Sequence, residues 1–209
     1  MVAMALNGAS APPRLVLASA SPRRRELLEA VGVKPEVMAV DVDEQPLAGE
    51  LPGDLVLRLA QAKASAAMEG LNWSQPVVVI AADTIVTVDD VIMGKPADDG
   101  DARAMLDRLS GRRHRILTGV TVATHDGFQT ASDETVVWFR PLEPAEIDGY
   151  IASGEPRGKA GAYGIQGRAS LFVERLEGSY HSVVGLPVHL VDSLCQVAGW
   201  PLATWSEQA

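Results

Sequence analysis

The sequence predicts an α/β fold built on one mixed sheet, and three stretches carry that prediction. "RLVLAS" (14–19) is a short apolar run followed by Ser21-Pro22 and a helical pattern, the strand–turn–helix unit of such folds. "PVVVIAADTIVTVDD" (76–90) is the most hydrophobic run in the chain, and its Val and Ile content without polar alternation reads as a central strand buried on both faces. "HRILTGVTVATHDG" and "FQTASDETVVWFRPL" (114–142) read as paired antiparallel strands around a His125-Asp126-Gly127 turn. Strand–helix units come first and hairpins later.

The remaining elements fall between these three. Ser21 is placed to cap the first helix, with Pro22 at its first position, where a missing N–H does no harm. "EVMAVDVDE" (36–44) reads as a second strand running out into acidic residues, and "GDLVLRLAQAKASAAM" (53–68) as a helix with Leu55, Leu59 and Ala62 on one face. "VIMGKPADD" reads as a turn, and "DDGDARAMLDRLSG" as a helix closed by Gly111. "EPAEIDGYIASG" is a helix, "GKAGAYGIQG" (158–167) a glycine-rich loop, "SLFVERLEGSY" a strand and "VVGLPVHLVDSLCQVAG" one closing helix.

Length and composition narrow the class. A chain of 209 residues, 47% hydrophobic, suits one large domain, or two small ones sharing a sheet, with ample core; a single domain over residues 14–209 is expected. Residues 1–13 lack a basic start and an apolar core, so they read as a disordered leader rather than a secretory signal. The net charge of −9 argues against a nucleic-acid polymer as partner, so any basic cluster serves a small anion. No apolar run is long enough for a membrane span, and a single cysteine, Cys195, suits a reducing compartment. The expected location is cytoplasmic.

Arg23, Arg24 and Arg25 are oddly placed, because they fall in the first turn of the first helix. That end already carries partial positive charge, and each exposed cation there costs about 0.3–1 kcal/mol. Either acidic side chains from elsewhere pair with them, or an anion sits there, held by guanidinium forks and free N–H groups. A strand end leading into that helix is where open α/β sheets bind ligands, which favours phosphate. Asp83 interrupts the most apolar strand, where a carboxylate is expensive unless satisfied by backbone N–H groups or put to use. Glu44 is a second acid at a strand end, while Lys63 and Lys95 are candidate cations. Gln166, in the glycine-rich loop, offers both a donor and an acceptor to a base edge. Cations for phosphates beside a central acid describe hydrolysis of a nucleoside triphosphate.

"LASASPRRRELL", "AADTIV", "GKP", "LTGV", "GKAGAYGIQG" and "GSYHSVVGLPV" occur in an order and spacing that resemble the Maf family of nucleotide pyrophosphatases. The resemblance implies an elongated α/β fold of the inosine triphosphate pyrophosphatase type, with a central cleft between two lobes. It also implies a homodimer that cleaves a nucleoside triphosphate to the monophosphate and pyrophosphate with a divalent metal, Mg2+ or Mn2+. On the same ground Asp83 would be the proton acceptor, and Arg23, Arg24, Lys63, Lys95, Ser19 and Ser21 would hold phosphate. Glu44 would join Asp83 at the metal. Arg23, Thr84 and Gln166 match the specificity set of the branch acting on dTTP and UTP. Ser182 departs from the Asn that many relatives carry before "VVGLP". A nucleotide-binding regulator of septum formation, and a broader pyrophosphatase for modified nucleotides, are the alternatives the resemblance leaves open.

Overall fold

The computed structural model describes residues 12–72 and 74–206. The expected leader lies outside them except at Pro12, which is exposed, and Pro13. Pro13 is buried, and its carbonyl accepts a hydrogen bond from the Trp205 indole at 2.6 Å.

Among the described residues, seven strands form a single mixed sheet. They are β1 (Arg14–Leu17), β2 (Glu36–Val37), β3 (Val77–Val88), β4 (Val91–Met93), β5 (Arg113–Thr124), β6 (Gly127–Phe139) and β7 (Val173–Glu177). The order is β2-β1-β3-β5-β6-β7, with β4 on β3. Six helices cover it: α1 (Pro22–Glu29), α2 (Pro52–Glu69), α3 (Asp99–Leu109), α4 (Pro144–Ala152), α5 (Tyr180–Val184) and α6 (Val188–Val197).

One edge of β3 holds the feature that matters most. Its start pairs in parallel with β1, ending at Leu17 opposite Ile80, and its end pairs antiparallel with β4, beginning at Val86 opposite Met93. Residues 81–85 therefore have no strand partner on that edge, while β5 pairs all of them on the other. The sheet is split there, at Asp83.

Side chains alternate across a strand, so β3 serves two cores. Val77, Val79 and Ala81 pack with Ala64 and Ala67 of α2, and Ile85 packs with Leu55, Val56 and Leu59 of the same helix. Val78, Ile80, Ala82, Val86 and Val88 face the other way, into the large core built with α1, α3, α4 and α6. Burial on both faces is why this strand shows no polar alternation. Cys195 lies in that large core, where burial pushes its thiol up to about 12, so it packs rather than reacts.

Four expectations need correction. The second strand stops at Val37 because, after the Met38 N–H reaches the Leu17 carbonyl, the β1 partner has ended; residues 38–50 are irregular. "VIM" is a strand, returning on β3 through Asp89 and Asp90, both at positive φ. Arg168–Phe172 is a 3-10 turn, leaving only Val173–Glu177 as strand. The closing helix is two helices. Gly185 sits at φ 124, a value that suits glycine, and Pro187 cannot continue a helix.

Candidate active site

A cavity of about 610 Å³ opens at the split in the sheet. The first half of the chain lines it with residues 18–24, 40–42, Glu44, Lys63, Asp83, Thr84 and Lys95; the second half adds residues 158–160, 163–166 and 183–185. Ser19, Ser21, Arg23, Arg24, Glu44, Lys63, Asp83, Thr84, Lys95 and Gln166 all lie in this wall.

Asp83 belongs to the α2 face of β3, between Ala81 and Ile85, and is buried. Backbone N–H groups do not satisfy its side chain. Lys63, itself buried on α2, donates to its Oδ1 at 2.6 Å and to Glu44 Oε1 at 2.7 Å. Glu44 Oε2 accepts from Lys95 at 2.8 Å. Burial would raise the Glu44 pKa, but the hydrogen bonds from Lys63 and Lys95 override it and hold the carboxyl down at about 2. It is therefore a carboxylate throughout the neutral range.

Close approach of α2 delivers Lys63. Asp83 pairs across the sheet with Gly119, and a Cβ at Gly119 would stand 2.2 Å from the Val56 carbonyl oxygen. Only glycine lets the helix lie this near the strand. Lys63 is two turns beyond Val56 on the same helix face, so it lands over Asp83. Arg58 on α2 anchors the Glu44 segment, donating to both carboxylate oxygens of Glu50 at 2.6 and 2.8 Å and to the Gln45 carbonyl at 3.0 Å.

The two arginines do different things. Arg24 caps the split edge of β3. Its Nη1 donates to the Ala82 carbonyl at 2.7 Å and to Ser19 Oγ at 3.2 Å, its Nη2 to Thr84 Oγ1 at 3.3 Å, and its Nε to the Gly185 carbonyl at 2.8 Å. A guanidinium has five N–H groups, so one remains for a ligand. Burial lowers its pKa, a trend that Asp83 opposes. Arg23 has no hydrogen-bond or ion-pair partner among the described residues and faces the cavity. Arg25 is exposed, near Glu29 at 3.4 Å.

The other expected residues differ in how firmly they are held. Ser21 starts α1 without a side-chain cap, so its hydroxyl is uncommitted, while its N–H donates to Ser19 Oγ at 3.2 Å. Thr84 lies on the opposite sheet face from Asp83, the two meeting only at the split edge. Gln166 is exposed in the cavity wall, and its amide has no partner among the described residues. Ser182 is fully buried and outside the cavity wall.

Lys159 was missed by sequence reasoning. Its amine donates to the Glu155 carbonyl, and burial lowers its pKa, helped by the charge of Arg23 and opposed by Glu155. It lines the cavity, and the visible signal was a cation inside a glycine-rich loop. The Gly161 N–H donates to the Gly94 carbonyl at 3.0 Å, tying this loop to the turn that presents Lys95.

Acids and cations thus alternate around a cavity built from both halves of the chain, and the profile of Maf-like proteins matches residues 14–198. The chain belongs to the Maf-like protein family. A dTTP/UTP pyrophosphatase of Sphingopyxis alaskensis is 51% identical over 192 residues, 91% of this Maf-like chain and 99% of that protein. One of Symbiobacterium thermophilum is 46% identical over 91% of this chain and 97% of its own length. Another, of Geobacter metallireducens, is 48% identical over 88% and 92%. Among solved structures, one titled "The structure of the Staphylococcus aureus Ham1 protein" overlaps 60% of this chain and 71% of that one, at a TM-score of 0.40 and 16% identity. No helix among the described residues is long and apolar enough to cross a membrane.

Proposed function

We propose that this Maf-like protein hydrolyses nucleoside triphosphates, dTTP and UTP foremost, to the monophosphate and pyrophosphate. The observation that carries the reading is Arg23. It is an unpartnered cation at a positive helix end, facing the cavity that also holds the buried Asp83. Such a charge is unfavourable until an anion arrives. The substrate preference follows the three relatives named above.

In this reading the triphosphate lies along Arg23, the free N–H of Arg24, Lys95 and Lys159, with the α1 N–H groups and the Ser21 hydroxyl adding donors. Asp83 Oδ1 is fixed by Lys63, and Oδ2 accepts no hydrogen bond from the described residues, so it is the atom that takes the proton of the attacking water. Gln166 meets the base.

No group of three or more His, Cys, Asp or Glu side chains converges among the described residues, and Lys63 sits between Glu44 and Asp83. That donor set does not suit a resident metal. Glu44 and Asp83 would instead help to hold Mg2+ or Mn2+ arriving with the triphosphate, and the ion would supply neutralisation of charge developing on the leaving pyrophosphate. The homodimer rests on the family resemblance. A panel of nucleoside triphosphates assayed for pyrophosphate tests the reading, which expects dTTP and UTP to lead; pyrophosphate from none of them refutes it.

A further inference from the structure

"LTGV" (117–120) contributes Gly119 to the approach of α2, but its threonine has no part in the chemistry above. Thr118 is nonetheless fully buried in the middle of β5, opposite Thr84. Its Oγ1 donates to the Ser182 carbonyl at 3.0 Å and lies 3.0 Å from Thr84 Oγ1.

A hydroxyl has one proton, and a carbonyl can only accept, so this ladder has a single direction. Thr118 commits its proton to Ser182, and Thr84 must then donate to Thr118. Thr84 is left able only to accept, which it does from Arg24 Nη2. The Gly185 carbonyl, 3.5 Å from Thr84 Oγ1, thereby accepts from Arg24 Nε at 2.8 Å without a second donor drawing on the same oxygen. The bonds close a ring. Arg24 and Thr118 grip two carbonyls of the same turn, three residues apart, and Thr84 joins them across the sheet.

We propose that Thr118 is a positioning residue for triphosphate binding. By fixing the direction of the Thr84 hydroxyl, it keeps the Gly185 carbonyl free for Arg24 and so holds that guanidinium with its uncommitted N–H available to phosphate. The proposal rests on the triphosphate reading of the cavity. It also defines what Thr84 offers a substrate, which is an acceptor and never a donor.

Thr118→Val keeps the shape and removes the ladder, freeing the Thr84 proton to turn to the Gly185 carbonyl, where a second donor weakens the bond from Arg24 Nε. KM for UTP should rise about tenfold, the scale of one hydrogen bond to a charged group, with kcat changed less than about threefold. Thr118→Ser, which retains the hydroxyl, should restore KM to within about twofold, and Thr118→Val should add nothing to KM in an Arg24→Ala background. A side chain that only fills the core would lower Tm without this pattern. In the ligand-free protein, NMR should show the Arg24 Nε proton exchanging about tenfold faster in Thr118→Val than in wild type or Thr118→Ser, as expected when a protecting hydrogen bond is weakened. If Thr118→Val does not fold, Thr118→Ala cuts the same ladder while leaving the Thr84 hydroxyl in place, and it is read in the same way. Unchanged exchange, or an equal KM effect with and without Arg24, overturns the proposal. Absence of hydrolysis by wild type would instead refute the triphosphate reading, and the exchange measurement would still decide the ladder.

Discussion

Replacing Lys63 by methionine removes the cation between Asp83 and Glu44 while nearly preserving its length and bulk. Breaking a buried ion pair from one side costs about 3–5 kcal/mol, because the remaining charge is left uncompensated. Two features reduce that figure here. Asp83 lies on an open cavity and keeps the field of Arg24, and the Glu44 side chain is 41% exposed and retains Lys95. The Glu44 contact then counts as a surface pair worth about 0–1 kcal/mol, and the total loss at pH 7 should be about 2–3 kcal/mol. Adding Asp83→Asn to Lys63→Met removes the stranded charge, so the double variant should return to within about 1 kcal/mol of wild type. Urea unfolding of the four proteins at pH 7 measures this cycle. A Lys63→Met loss below about 1 kcal/mol, or a double variant that simply adds the two single losses, would refute the buried-pair reasoning.

Arg23→Ala should weaken triphosphate use by about 1.5–3 kcal/mol in kcat/KM, the scale of charge-assisted hydrogen bonds. Tm of the ligand-free protein should stay or rise slightly, since a cation leaves a positive helix end; a fall in Tm would mean that Arg23 serves the fold. Gln166→Ala should lower kcat/KM for UTP and narrow its margin over CTP by less than about tenfold, because an amide that no neighbour fixes turns at little cost to suit cytosine. An unchanged UTP-to-CTP ratio would show that Gln166 does not read the base. His114, buried in β5 with its Nε2 2.8 Å from the Tyr163 hydroxyl, has its pKa lowered from 6.5 to about 4 by burial. Above pH 6.5 it is neutral folded or unfolded and contributes no pH dependence; below, the unfolded chain takes the proton first, so stability falls as pH drops towards 4, by about 3 kcal/mol in all. His114→Gln should lack that component of the slope in urea titrations, and an unaltered slope would contradict it.

The parts of the site legible in the sequence are those whose residue type conflicts with its surroundings. A carboxylate in the most apolar run and cations at a helix start each break a local rule, and both lie in the cavity wall. Sequence could not separate Arg23 from Arg24. Their division of labour depends on the unpaired edge of residues 81–85, which exists because β1 ends and β4 begins at particular registers. Lys63 is only a candidate cation in the sequence, and the contact between Val56 and Gly119 shows why it is buried over Asp83. The fold was misread where partners or prolines decide. The second strand ended with its neighbour, and Gly185 to Pro187 broke a helix that hydrophobic spacing alone would have continued.

In the proposed reaction, water attacks at the α–β anhydride with Asp83 Oδ2 as the base. Its most direct measurement follows UTP with wild type and Asp83→Asn in the presence of Mg2+, resolving nucleotides by chromatography and phosphates by 31P NMR. The account predicts UMP and pyrophosphate in equal amounts from wild type, and a kcat at least about a hundredfold lower for Asp83→Asn with nucleotide affinity far less changed. UDP with orthophosphate as products, or near-wild-type turnover by Asp83→Asn, would contradict it.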